Sequence, residues 1–234
     1  MKIVCFLEKE YLKKNFLKLD KKAPNFHHLV NVLKIVSNAE VSFSSGDLVE
    51  YVFKVKEVKK NEVLFEKVRE KKHPFPFKLK INLVLSLLKK NEFSDTLSLV
   101  SNIGVNKIFP LITTKSLVYS NLKRWQNVLI RSFEIRKDFY LPEITPPLTL
   151  ENVLEFESSN TFVFDKSGEE FKVDDLEGLT TVNLIVGPEG GFTSEERKML
   201  KQKFKFYKVF NATLSSKSFS VFIVSVLNYR FNIK

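Results

Sequence analysis

Residues 182–196, VNLIVGPEGGFTSEE, concentrate more potential chemistry than any other stretch of the chain. The apolar run Val182 to Val186 reads as a buried strand that empties into Gly187-Pro188-Glu189-Gly190-Gly191. A helix is expected from Thr193 or Ser194, a hydroxyl cap followed by acidic residues. Ligands of open α/β sheets bind beyond the carboxyl ends of strands, where this loop must lie. Its glycines would let a ligand come against backbone N–H and C=O groups. The pattern is not that of a phosphate binder, because neither GxxxxGK[ST] nor GxGxxG is present. Glu195 and Glu196 at the helix start would also repel a pyrophosphate. What remains is a ligand with positive charge or neutral donors, as a sulfonium or an adenine ring has. On spacing alone, a plain strand-to-helix turn that uses glycine for geometry is equally open.

Such a loop needs a parallel sheet to carry it, and the C-terminal two thirds of the chain supply one. INLVLSLL (81–88) is a near-continuous apolar run suited to a strand buried on both faces. KNEFSDTLSLVSNIGV then places Phe93, Leu97 and Val100 on one helical face and ends at Gly104. KIFPLIT, TFVFD, VNLIVG and FYKVF read as strands. Leu122 to Phe139, SEERKMLKQKF and SFSVFIVSVLNYRF read as helices. Alternating strands and helices predict a parallel α/β sheet covered on both faces. The last helix is apolar along most of its length, so it is buried either inside the monomer or against a second copy. Trp125 shares a face with Leu129 and Phe133, which favours packing over base stacking.

The N-terminal third has another rhythm. VSFSSGDLVEYVFKVKEVKKNEVLFEKV (41–68) alternates apolar and charged residues, with turns at Ser45-Gly46-Asp47 and Lys60-Asn61, and predicts a small antiparallel barrel or sheet. Phe26, Leu29, Val32 and Leu33 fall at helical spacing, predicting a short amphipathic helix with Lys34 near its end. The run EKKHPFPFKLK breaks all periodicity, placing the boundary between residues 1–72 and 73–234.

Charge separates these two parts. The whole chain carries 38 Lys+Arg against 27 Asp+Glu, a net of +11, and residues 1–80 hold 18 against 10, or +8. A basic excess of this kind suits a polyanionic partner; a lysine-rich surface kept for solubility is the bland alternative. The single Cys5 rules out an internal disulfide and any zinc pattern. No secretory stretch and no apolar run near the roughly 20 residues of a membrane span is present, so a soluble cytoplasmic protein without metal or membrane attachment is expected.

GPEGGFTSEE (187–196), HHLVNVLK (27–34), the Gly46-Asp47 turn, KNEFSDTLSLVSNIGVNKIFPLITTKS (90–116), Arg124-Trp125 and LPEITPPL from Leu141 occur in the order found in the ribosomal RNA small subunit methyltransferase E family of the SPOUT superfamily. The chain resembles that family over nearly its whole length. The resemblance implies a PUA-like basic RNA-binding β-barrel at 1–72 and, at 73–234, a SPOUT-type α/β domain tied in a trefoil knot. It also implies a homodimer, S-adenosylmethionine as cofactor and N3 of a uridine in 16S rRNA of the small ribosomal subunit as target. Cofactor contacts would fall on Phe164, Val186, Gly187, Pro188, Glu189, Gly190, Gly191, Asn211, Ala212, Leu214 and Ser215. The second cofactor loop departs from the family pattern. Here it reads NATLSSKSFS (211–220), with Ala212 for a glycine, Lys217 for an arginine, Phe219 for a glutamate and Ser220 for a threonine. At FEIRKDFYLP, Glu134 matches, Ile135 stands for glutamine and Arg136 lies out of register.

Methyl transfer to a uracil N3 is an in-line displacement in which the enzyme positions two reactants and the imino proton departs. Cations near the acceptor would stabilise the uracil anion, which makes Lys217, Arg131 and Arg136 the catalytic candidates. His27, His28, Lys34, Lys89, Lys90 and Lys115 are candidate RNA contacts. For the histidines a surface or capping role is the alternative, and for the lysines a merely solvated face. Two further functions stay open: an RNA-binding, ribosome-associated protein whose altered loop has lost catalysis, and a methyltransferase for another RNA nucleotide.

Overall fold

The computed structural model describes residues 3–23, 25–117, 119–209 and 214–233. The chain divides into two compact units, residues 1–76 with 133–141, and residues 77–132 with 142–234.

In the first unit, period-two alternation produces five strands: β1 (Val4–Phe6), β2 (Phe16–Asp20), β3 (Glu40–Ser44), β4 (Val49–Val58) and β5 (Glu62–Lys72), with the short helix α1 (Lys9–Leu12) after β1. They form one sheet ordered β1-β3-β4-β5-β2, antiparallel except for the β1/β3 pair. Register shifts in the β4/β5 ladder accompany its curl. The alternate residues Phe43, Phe53 and Phe65 meet edge to face at 5.5–5.7 Å, and with Leu12, Leu29, Val41 and Val55 they make the core. Cys5 belongs to it; burial first, then the Glu134 carboxylate, push its thiol up to about 12.

Two sequence expectations are corrected here. The helix predicted around Phe26 to Leu33 is a single wide turn, His28–Val32, that buries Phe26 and Leu29 but leaves Val32 57 % exposed. Lys34, at a φ of +49°, leaves the helical region and stops it. The helix predicted to reach Phe139 ends at Arg136, because Lys137 and Phe139 take left-handed backbone at φ values of +59° and +62°. The freed segment 133–141 then completes the first unit. Phe133 and Phe139 bury against Val4, Leu48 N–H donates to Phe139 O at 2.8 Å, and Leu141 N–H donates to Gly46 O at 3.0 Å. Gly46, with a φ of +79°, lies so near that a Cβ would sit 2.2 Å from that of Leu141.

The second unit runs β6 (Lys80–Ser86), α2 (Lys90–Ile103), β7 (Lys107–Leu111), α3 (Leu122–Arg136, whose last residues belong to the first unit), β8 (Glu143–Ile144), α4 (Leu150–Val153), β9 (Thr161–Glu170), β10 (Thr181–Val186), α5 (Ser194–Lys201), β11 (Lys205–Lys208) and α6 (Ser216–Leu227). Its six strands are all parallel in the order β11-β9-β10-β6-β7-β8. Buried on both faces, β6 and β10 read as apolar runs, interrupted only by Asn82 and Asn183, for that reason. Val84, Val163 and Ile185 face a layer that includes Leu150, Leu200 and Phe204. Phe93, Leu97, Val100 and Trp125 are all fully buried.

A row of amides crosses the start of this sheet. Asn106 Nδ2 donates to Asn82 Oδ1 at 2.7 Å, Asn82 Nδ2 to Asn183 Oδ1 at 2.8 Å, and Asn183 Nδ2 to Thr161 Oγ1 at 2.9 Å. Each amide satisfies its neighbour, as polar groups inside a sheet must. The row also pins the register of strands brought together from distant parts of the chain.

Candidate active site

The loop after β10 is shaped by bonds within its own few residues. Gly191 N–H donates to Pro188 O at 2.8 Å, closing a turn in which Gly191 has a φ of +65°. Gly187 passes so close to the buried Phe192 ring that a Cβ would meet Cε2 at 2.9 Å. Thr193 then caps α5: its Oγ1 accepts from Glu196 N–H at 3.2 Å while Glu196 Oε2 accepts from Thr193 N–H at 2.7 Å. The other Glu196 oxygen accepts from Thr114 N–H at 2.8 Å, in the loop after β7. Burial by itself would raise the Glu196 carboxyl; the Thr114 and Thr193 N–H groups outweigh it and hold the group below its ordinary range. The positive end of α5 is therefore occupied by the chain's own carboxylate and offers nothing to a phosphate.

The start of α6 is fastened to the same loop. Ser215 caps the helix by accepting from Ser218 N–H at 3.1 Å. Ser216 Oγ donates to Gly187 O at 2.7 Å, and its N–H donates to Glu189 Oε1 at 3.3 Å. Between the loop, the middle of β9, the end of β11 and the start of α6 opens a cavity of about 290 Å³. Its walls are aromatic, with the Phe164 ring 5.2 Å from Phe219 and 6.4 Å from Tyr207. Asp165, 3.0 Å from Arg197 Nε, closes one side. Burial raises the Asp165 carboxyl, but Ser167 and Arg197 more than compensate and keep it below the usual carboxylate range.

Of the residues expected to meet a cofactor, Phe164, Val186, Gly187, Pro188, Glu189, Gly190, Gly191 and Leu214 line this cavity. Ser215 stands one step outside it as the cap of α6, and Asn211 and Ala212 lie outside the described residues. The catalytic candidates lie on different elements. Lys217 sits in the first turn of α6 with its Nζ 3.1 Å from Asp95 Oδ2 on α2. Arg131 is exposed on the second-unit part of α3. Arg136 belongs to the first unit, where it bonds Asp138 and burial lowers it to about 10, still charged at neutral pH.

Among the candidate RNA contacts, Lys89 and Lys90 are exposed at the start of α2, and His27, His28 and Lys34 are exposed on the first unit. His27 Nδ1 lies 2.9 Å from Asn31 Nδ2. Lys115 is instead turned onto the loop, its Nζ donating to Gly190 O at 2.8 Å. Sequence reasoning missed Asp165, Arg197 and Tyr207 as wall residues. Asp165, the first polar residue after the apolar Phe162-Val163-Phe164, closes the run TFVFD that reads as a strand and so carried a usable signal, although β9 continues to Glu170. Arg197 and Tyr207 carried none.

The donor set suits a compact cationic or neutral ligand: main-chain groups of a glycine-rich turn, aromatic walls that can stack a purine, and carboxylates in place of a phosphate seat. Residues 75–228 match the family described as the RNA methyltransferase domain, and the chain belongs to it. Among its relatives, the ribosomal RNA small subunit methyltransferase E of Aquifex aeolicus is 29 % identical over 185 residues, 76 % of this chain and 80 % of that protein. The Rickettsia conorii protein of the same name is 23 % identical over 74 % of this chain and 73 % of its own length. A Neisseria gonorrhoeae ribosomal RNA small subunit methyltransferase E, solved bound to S-adenosylmethionine, superposes with a TM-score of 0.85 at 19 % identity, covering 99 % of this chain and 98 % of that one. A Legionella pneumophila protein, also solved with that cofactor, gives 0.84 at 23 % identity and 98 % coverage of both chains. The α/β fold with a parallel sheet, following an N-terminal β unit in the chain, is thus shared with these structures. Among the described residues no helix is long and apolar enough to cross a membrane, and no cluster of His, Cys, Asp and Glu could hold a metal ion.

Proposed function

We propose that this chain methylates N3 of a uridine in 16S rRNA, using S-adenosylmethionine held in the cavity beside Gly187–Gly191. The observation that carries the reading is the loop itself: a glycine turn at the carboxyl end of a central parallel strand, with its helix dipole already satisfied by Glu196 and aromatic rings opposite. A cavity of about 290 Å³ lies at the lower edge of the roughly 300–1,000 Å³ typical of small-molecule sites. The sulfonium of the bound donor supplies the methyl group. The chain's own part is to hold the donor by main-chain contacts, exclude water with Phe164, Phe219 and Leu214, and meet the acceptor with positive charge. Lys217 is the candidate for that charge: a uracil losing its N3 proton to solvent would gain from an ammonium beside O2 or O4. Arg131, exposed on α3, is the second candidate for that role. The Arg136 guanidinium is committed to Asp138, which argues for a structural part in the first unit.

The basic first unit would grip RNA backbone, where Lys34 and the exposed His27 and His28 are available. Residues 77–132 and 142–234 would carry the knotted topology. A second copy would cover the half-exposed Val221, Phe222 and Val226 of α6, whose Ile223, Val224 and Leu227 are buried within the subunit. Two measurements test the assignment. Calorimetry should show one S-adenosylmethionine bound per chain. Nucleoside mass spectrometry should find 3-methyluridine in small-subunit rRNA only when the gene is present. Donor binding without that change would point to another RNA nucleotide. No donor binding at all would leave an RNA-associated scaffold.

A further inference from the structure

The loop after β7 makes two contacts beside the cavity, one with α5 and one with the loop after β10. Thr114 N–H donates to Glu196 Oε1 at 2.8 Å, and Lys115 Nζ donates to Gly190 O at 2.8 Å. The first contact is backbone to a buried carboxylate and fixes where the β7 loop lies. The second spends a charged, flexible side chain on a single carbonyl of the glycine turn. Free lysines near an RNA site extend into solvent to meet phosphates; this one is folded back. Its stem also runs beside the turn, where a Cβ on Gly190 would meet Lys115 Cδ at 3.2 Å. The Gly190–Gly191 peptide, with no side chain on either residue to hold it, is restrained at both ends, its N–H by Pro188 O and its C=O by the Lys115 ammonium, so loss of the lysine removes one of the two bonds that fix the turn lining the cavity.

We propose that Lys115 is a positioning residue of the methyl-donor loop, its ammonium fixing the Gly190 peptide so that the turn presents its main chain to the donor, rather than an RNA contact. The inference rests on the cavity beside Gly187–Gly191 being the donor site. It gives the β7 loop a function: Glu196 anchors that loop to α5, and the anchored loop carries Lys115 to the turn.

The test uses the full chain. Lys115→Met keeps the stem and removes the charge, and because the residue is exposed the thermal midpoint without ligand should stay within about 1 °C of wild type. Affinity for S-adenosylmethionine, measured by calorimetry, should weaken about five- to tenfold, the effect of one charge-assisted hydrogen bond at a partly open site. Lys115→Arg should recover most of it. Affinity for a labelled single-stranded RNA of mixed sequence should stay within twofold. Gly190→Ala, which pushes the lysine stem aside, should weaken the donor too, and the double variant Gly190→Ala/Lys115→Met should weaken it by less than the product of the two single effects. Unchanged donor affinity in Lys115→Met overturns the proposal, and a fall in RNA affinity alone would identify Lys115 as a phosphate contact. A wild-type chain that binds no S-adenosylmethionine removes the donor-site reading itself, a result distinct from either of those.

Discussion

Glu196→Gln tests the construction of the site more sharply than removal of any wall residue. The wild-type carboxylate accepts one backbone N–H on each oxygen, from Thr114 at 2.8 Å and from Thr193 at 2.7 Å, and the residue is only 6 % exposed. Glutamine has the same shape but a single acceptor oxygen, so one of those N–H groups must face an NH2. A buried donor left without an acceptor costs about 1–3 kcal/mol, and the surviving bond loses its charge assistance. A loss of about 2–3 kcal/mol corresponds to a fall of about 4–12 °C in thermal midpoint for a chain of this size. The pH dependence has a definite sign. Because the Glu196 carboxyl is held below its free value of 4.5, its contribution is fully present above that value and disappears as pH falls through the lower folded value. Circular dichroism melts of the two proteins should therefore differ at pH 7 and converge in acid, where the wild-type group is protonated. Amide exchange at Thr114 or Thr193 should quicken in the variant at pH 7. Identical melts at pH 7 with unchanged exchange at both amides would refute the account of how the two loops are joined.

Further expectations follow from the same geometry. Gly46→Ala forces left-handed backbone on alanine and drives its methyl into Leu141, so the first unit should lose at least about 2 kcal/mol, read as an earlier denaturant transition. Asn183→Leu should destabilise by about 1–3 kcal/mol because it strands the Asn82 amide, and adding Asn82→Leu should cost less than a second such loss. Cys5, with its thiol pushed up to about 12 by burial and then by Glu134, should resist iodoacetamide at pH 8 in the folded protein and react at once in denaturant. Phe164→Ala should weaken S-adenosylmethionine binding by roughly tenfold in calorimetry, since the ring is central to the aromatic wall.

The parts of this molecule that could be read from its sequence are those where one local cause dominates. β6 and β10 are apolar at successive positions because both their faces are covered, and α2 shows Phe93, Leu97 and Val100 because one of its faces is buried. The glycine turn was visible because its chemistry is contiguous. Other features depend on distance in space. The stretch from Phe26 to Leu33 has helical spacing, yet only Phe26 and Leu29 are fully buried, with Val30 and Leu33 packed at the edge of the core, and a turn suffices to place them. Nothing within 133–141 announces that it packs with residues 1–76 as part of the first unit. Lys115 reads as a free basic residue until its Nζ is found on Gly190. Arg197 reads as an ordinary helical cation until Asp165 is placed beside it.

The interleaving of the two units constrains how the protein can be made. The strands of residues 1–76 leave the ribosome well before Phe139 and Leu141, which cover Val4 and complete the turn at Gly46. At translation speeds of about 5–20 residues per second, synthesis of residues 77–132 holds that surface uncovered for several seconds. A nascent chain in this state presents an unfinished apolar patch to chaperones and to its neighbours on a polysome. A gene fragment cut at the apparent boundary near Pro76 would make that transient condition permanent.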